Sequence, residues 1–331
     1  MSFDMKSLIN PVVRDIPPSG IRKFFDIAAE MEDAISLGVG EPDFVTPWHI
    51  RDEGIYSLEK GMTYYTSNAG LKELRFEICN YLKRRFSLTY DAMSQVVVTV
   101  GGSEAIDLCI RSVVQPGDEV IIPEPCFVCY KPITKLAGGV PVTIETKAEN
   151  DFRLTADELR AAITPKTKLL ILPFPNNPTG GVMSRKDLEE IAEVLRGTDI
   201  IVLSDEIYSE LSYQGDHVSI AAIPGMKERS VVINGFSKSY AMTGWRLGYA
   251  VGPKEIIKQM IKVHQYLIMS APTTSQYAAI EALRNGDEDV AKMRESYDER
   301  RRFLVKELRE MGMPCFEPMG AFYVFPNISR F

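Results

Sequence analysis

From residue 95 onward the sequence alternates between short apolar, β-branched runs and stretches of helical length, and this alternation constrains the fold more than any other feature. Strand-like runs occupy 96–100, 119–123, 140–144, 168–172, 200–204, 230–234 and 246–251. Helical patterns at 103–114, 127–137, 155–163 and 186–196 fall between them. Such a succession predicts an α/β fold with a seven-stranded, mostly parallel sheet covered by helices on both faces. The run at 246–251 follows its predecessor after a short connection, so the sheet is expected to be mixed.

After 254 the pattern is helical, ending in a long charged helix from about 287 to 312. Pro318-Met-Gly-Ala-Phe-Tyr-Val-Phe325 then reads as the start of a further strand. Towards the other end, residues 1–40 are polar and turn-rich, with a helical segment near 21–33. Gly40–Phe44 and Thr63–Gly70 read as loops, the second preceding an amphipathic helix with Leu71, Leu74, Ile78 and Leu82 on one face. The domain reading is an N-terminal arm with part of a small domain (1–44), a large domain (45–285), and a small, incomplete α/β domain (286–331).

Composition narrows the function classes. With 331 residues and 45% hydrophobic content the chain is long enough for one large and one small domain. A formal net charge of −7 offers no general basic surface, so nucleic acid is not an expected partner. Met1-Ser-Phe-Asp-Met-Lys6 lacks the apolar core of a signal peptide, and no apolar run approaches the ~18 residues of a membrane span. Five cysteines, an odd count, suit reduced thiols in the cytoplasm. Cys126-Phe-Val-Cys129 has no second pair, and His49, His217 and His264 are scattered, so no metal site is expected.

In open α/β sheets, ligands bind beyond the carboxyl ends of the strands. Four predicted strand ends carry residues with chemistry. Val96–Val100 runs into Gly101-Gly-Ser-Glu104, where free N–H groups at a helix start suit a phosphate; a plain turn capped by Ser103 fits equally well. Leu169–Leu172 leads into Pro173-Phe-Pro-Asn-Asn-Pro-Thr-Gly180, a stiff loop presenting two amide side chains. Ile200–Leu203 ends at Ser204-Asp-Glu-Ile-Tyr208, where Asp205 is either a helix cap or the partner of a buried cation such as a protonated ring nitrogen. Tyr208 would share its helical face. Val231–Ile233 leads through Asn234 and Gly235 to Lys238, a candidate Schiff-base amine once burial makes it partly neutral, with Arg246 eight positions on as a second phosphate anchor. A phosphate cradle, an amide loop, a carboxylate and a lysine at one sheet edge fit pyridoxal 5′-phosphate (PLP).

These residues resemble the class I/II aminotransferases of the fold-type I PLP family, particularly the aspartate/aromatic branch. Asn176-Asn-Pro-Thr-Gly180, Ser204-Asp-Glu-Ile-Tyr208 and Ser237-Lys238 followed by Arg246 carry the match in identity, order and spacing. The resemblance implies that Lys238 holds the cofactor and moves the substrate proton, and that Asp205 keeps the pyridine nitrogen protonated. It implies that Asn177 and Tyr208 bind the ring 3-oxygen, that Phe127 stacks on the ring, and that Gly102, Ser103, Ser237 and Arg246 hold the phosphate. Tyr65 would reach the phosphate of a neighbouring subunit, implying a homodimer. Gly40 would contact the substrate carboxylate through its backbone, with Phe127 and Asn177 also lining the substrate side.

Family members continue for several dozen residues beyond the Gly320-Ala-Phe-Tyr323 stretch, in a part that carries an arginine for the substrate α-carboxylate. The expected activity is ping-pong transfer of an amino group from an amino acid to a 2-oxo acid. A PLP-dependent carbon–sulfur β-lyase, or a PLP-binding protein without turnover, are the alternatives. Ser103, neutral where some aspartate-preferring relatives have lysine, and the apolar Ile21 lean toward aromatic or broad specificity.

Overall fold

The structure, a computed structural model, describes residues 5–18, 27, 31, 38 and 40–331. The expected helix near 21–33 and Ile21 therefore fall largely or wholly outside the described residues. All seven expected strands form: β1 (Val96–Thr99), β2 (Glu119–Glu124), β3 (Val140–Glu145), β4 (Thr167–Leu172), β5 (Ile201–Asp205), β6 (Ser230–Gly235) and β7 (Gly248–Val251). They build one sheet in the order β1-β7-β6-β5-β4-β2-β3. β7 runs antiparallel to both β1 and β6, whereas the pairs among β2, β3, β4, β5 and β6 are parallel. The sheet is thus mixed through a single reversed strand, and six strands end at one edge.

Both faces of the central strands are buried, which explains why they read as continuous apolar runs rather than as alternating ones; the edge strand β3 buries only Ile144. Along β1, Val96 and Val98 join one core while Val97 joins another; along β4, Leu169 and Ile171 face one core, and Leu170 and Leu172 the other. Helices Lys72–Phe86 and Thr273–Asn285 cover the first face near β1 and β7. Gly101–Val113 and Lys254–Leu267 cover the opposite face, and Arg185–Leu195 closes the far end. Among the described residues no helix is long and apolar enough to cross a membrane.

Three expectations need correction. Residues 318–325 form no strand: only the isolated bridges Ser212–Gly320 and Cys315–Pro326 occur there. Ala321 has φ +56°, a left-handed backbone that interrupts an extended run. The segment is instead tied down by Ala321 N–H donating to the Leu211 carbonyl (2.9 Å) and Met319 and Gly320 N–H both donating to the Gly180 carbonyl (3.0 Å each). Residues 206–210 form turns rather than a helix, so Asp205 caps none and Tyr208 lies on no helical face. Ser103 is not the cap of its helix; the N-cap is Val100, without a side-chain bond.

Candidate active site

Strand register brings the loaded ends together. Gly248 of β7 lies opposite Thr99 on one side and Gly235 on the other. Gly101, two residues past β1, and Lys238, three past β6, therefore emerge side by side. A Cβ at Gly248 would stand 2.6 Å from the Gly101 carbonyl carbon and 2.7 Å from the Gly102 nitrogen, so the close approach requires glycine.

The Lys238 side chain is largely buried, and its Nζ donates to the Gly40 carbonyl at 2.5 Å. It stands 5.4 Å from the Phe322 ring centroid and 5.9 Å from that of Tyr208. Burial lowers its pKa to about 8; Arg246 also lowers it, while Glu41 opposes. A substantial fraction of the amine is therefore neutral near pH 8, unlike an ordinary lysine with pKa near 10.4.

Asp205, at the last position of β5, is buried. Its Oδ2 accepts from the Tyr130 hydroxyl at 2.7 Å and its Oδ1 from the Ile207 N–H at 3.3 Å. Burial pushes its pKa up to about 6, with Glu206 adding to the rise and the two hydrogen bonds opposing it. Both donors are neutral, and among the described residues no cation pairs with this carboxyl. A buried carboxylate in that state calls for a positive partner.

Tyr208 is buried and its hydroxyl lies 2.7 Å from that of Tyr323, with the Asn177 side chain as a further hydrogen-bond partner. The two asparagines of the Pro-rich loop divide their work. Asn176 is buried, accepts from Thr179 N–H (3.1 Å) and Thr179 Oγ1 (2.9 Å), and donates to the Pro173 carbonyl (3.3 Å), so it shapes the loop. Asn177 is the one directed to Tyr208.

At the other flank, the N-cap residue Val100 offers no side-chain bond to the start of helix Gly101–Val113, where Gly102 and the exposed Ser103 occupy the first turn. The Arg246 guanidinium lies against Gly101: a Cβ there would be 2.6 Å from its Nη2. Its Nη1 donates to the Thr243 carbonyl at 3.0 Å, which leaves the outer nitrogens for an anion. Ser237 is buried beside Lys238. Phe127 is half-buried and packs edge-on against Tyr130 at 6.0 Å, which places it near Asp205. Gly40 is reached from below by Lys238 and covered by Tyr323, whose hydroxyl would stand 2.1 Å from a Cβ at that position. Tyr65, in contrast, is 78% exposed.

The structure thus gathers Gly40, Gly102, Ser103, Phe127, Asn177, Asp205, Tyr208, Ser237, Lys238 and Arg246 at one sheet edge and leaves Tyr65 outside. Tyr130 and Tyr323 were not singled out from sequence. Tyr130 closes the Cys126-Phe-Val-Cys-Tyr stretch, and its polar tip at a buried position was the only signal. Tyr323 reaches Tyr208 from 115 residues downstream, with no local signal at all.

Residues 32–330 match the family model for aminotransferase class I and II. The chain belongs to the class I and II aminotransferase family. It is 48% identical to an aspartate aminotransferase of Pyrococcus abyssi, over 95% of this chain and 82% of the relative. It is 45% identical to aromatic-amino-acid aminotransferase 2 of Thermococcus litoralis, with the same shares covered. Among solved structures it superposes on the aspartate aminotransferase of Thermus thermophilus with maleate, with a TM-score of 0.94 at 38% identity, covering 97% of this chain and 85% of that one. Aminotransferases of this family depend on PLP, and the groups at the sheet edge fit that cofactor: a buried carboxyl without a cation, an uncapped helix start beside an arginine, and a desolvated lysine between them.

Proposed function

We propose that this aminotransferase transfers the amino group of aspartate or an aromatic amino acid to a 2-oxo acid, with Lys238 as the catalytic base. The observation that carries the reading is Lys238 itself, made partly neutral near pH 8 by burial, on the same sheet edge as Asp205 and the open helix start. When bound, PLP takes up the substrate amino group and supplies the electron sink that acidifies the substrate α-carbon.

Every other task falls to the chain. Asp205 holds a protonated ring nitrogen, and Tyr130 and the Ile207 N–H keep its carboxylate aimed there. Asn177 and Tyr208 bind the ring 3-oxygen, and Phe127 covers one ring face. The N–H groups at Gly102 and Ser103, the Ser237 hydroxyl and the Arg246 guanidinium bind the phosphate. Lys238 would act as the base that takes and holds the proton of the substrate α-carbon. To do so it must leave the Gly40 carbonyl; the backbone group there that can donate to a substrate carboxylate is the Gly40 N–H. Phe322, Tyr208 and Tyr323 surround the amine with rings, which supports acceptance of aromatic side chains.

The working form on this reading is a homodimer in the cytoplasm. Tyr64, Tyr65, Tyr266, Leu267, Ile268 and Met269 are all exposed. The loop of Tyr64 and Tyr65 adjoins the end of helix Lys254–Leu267 and the turn after it, since Asn68 Nδ2 donates to the Met269 carbonyl (2.7 Å) and Thr273 Oγ1 to that of Tyr64 (2.7 Å). A second copy would cover this apolar surface and receive Tyr65 at its phosphate. All five cysteines are free thiols, as suits a reducing compartment.

Borohydride reduction of the PLP-loaded protein followed by peptide mapping tests the assignment. The label is expected on Lys238 and absent from Lys238→Ala; a label on another lysine would overturn it.

A further inference from the structure

The first turn of helix Gly101–Val113 contains a charge that a phosphate site should not tolerate lightly. Glu104 lies one residue past Ser103, where a carboxylate would repel a phosphate dianion if it pointed the same way. Instead it folds back. Its Oε2 accepts the N–H of Val100, the residue before the turn, at 2.5 Å. Its Oε1 lies 2.7 Å from Nδ1 of His264. A carboxylate can only accept, so the shared proton sits on Nδ1. His264 is wholly buried in the last turn of helix Lys254–Leu267, and its Nε2 has no partner. A fully buried imidazole with a single hydrogen bond, spent on this carboxylate, is costly to keep as mere packing.

We propose that Glu104, held by His264, is a positioning residue for the phosphate cradle; the proposal rests on the cofactor reading above. By taking the Val100 N–H, Glu104 fixes the backbone that enters the turn, so the N–H groups of Gly101, Gly102 and Ser103 converge on one point. His264 keeps the carboxylate behind the helix start, away from the anion. Arg246 closes the opposite side. On this proposal Glu104 and His264 act through the backbone and not on the cofactor directly.

The test titrates the apoprotein with PLP and reads the dissociation constant, the ³¹P shift of the bound phosphate and the thermal midpoint of the apo form. Glu104→Ala and His264→Leu are each expected to raise the Kd on the order of 10-fold and to move the ³¹P signal, corresponding to one lost hydrogen bond. The double variant should be no worse than the poorer single one, because both act through one contact. Glu104→Gln, which keeps an acceptor for the Val100 N–H, should stay within about 3-fold of wild type. Lower apo midpoints with unchanged Kd and ³¹P shift, or effects that multiply in the double variant, would overturn the proposal. If Glu104→Ala does not fold, His264→Leu against Glu104→Gln decides in the same way: weakened and near-normal supports it, both normal overturns it. Wild-type protein that takes up no PLP would overturn the cofactor reading itself, and this proposal with it.

Discussion

At the scale of single residues, the site is a set of groups held in states they would not choose in water. Asp205 is the clearest case. Its folded pKa of about 6 lies above the ordinary value of 3.8, so the stability linked to it is complete below pH 3.8 and lost as pH rises through 6. Above that, burying the ionised carboxyl without a cation costs on the order of 3 kcal/mol. Asp205→Asn should therefore stabilise the apoprotein by roughly 1–3 kcal/mol at pH 8 and by nothing near pH 3, while weakening PLP binding. Denaturant unfolding of both apoproteins at the two pH values checks this; equal stability at pH 8 would contradict it. Lys238 is displaced the other way, to about 8. The rate at which apoprotein and PLP join covalently should rise with pH up to about 8 and level off beyond it, and rapid-mixing absorbance reads that profile.

These residues were legible in the sequence to an unequal degree. Asp205 ends a strand, Lys238 and Asn177 follow strand ends within a few positions, and Arg246 stands just before β7, so periodicity and motif spacing found them together. Tyr130 and Tyr323 act on Asp205 and Tyr208 across 75 and 115 residues of chain. Contacts of that range leave no local pattern.

At the scale of elements, the central strands were legible because both sheet faces are buried there and the strands are apolar runs, whereas the edge strand β3 buries only Ile144. The segment 318–325 has the same composition, but Ala321 turns left-handed and only single bridges form, so composition alone misled there. β7 packs closely against the start of helix Gly101–Val113. Gly248→Ala should push the two apart at the Gly101 carbonyl carbon, destabilising the protein by about 1–3 kcal/mol and raising the PLP dissociation constant. Stability loss with an unchanged Kd would show that β7 does not set the phosphate cradle.

At the scale of the whole molecule, the proposal assigns the cofactor groups to one sheet edge and the pairing of two copies to the exposed surface around Tyr65 and Tyr266. Sedimentation at micromolar concentration should give a dimer. Tyr65→Ala should leave it a dimer with weaker PLP binding; a monomeric wild type would contradict the pairing. The central claim concerns the reaction. PLP-loaded protein mixed with aspartate or an aromatic amino acid, without any acceptor, should release 2-oxo acid stoichiometric with its sites and then stop. Turnover should resume only when a 2-oxo acid is added. Continued release of pyruvate and ammonia from a cysteine-type substrate without acceptor, or no oxo acid from any amino acid, would contradict it.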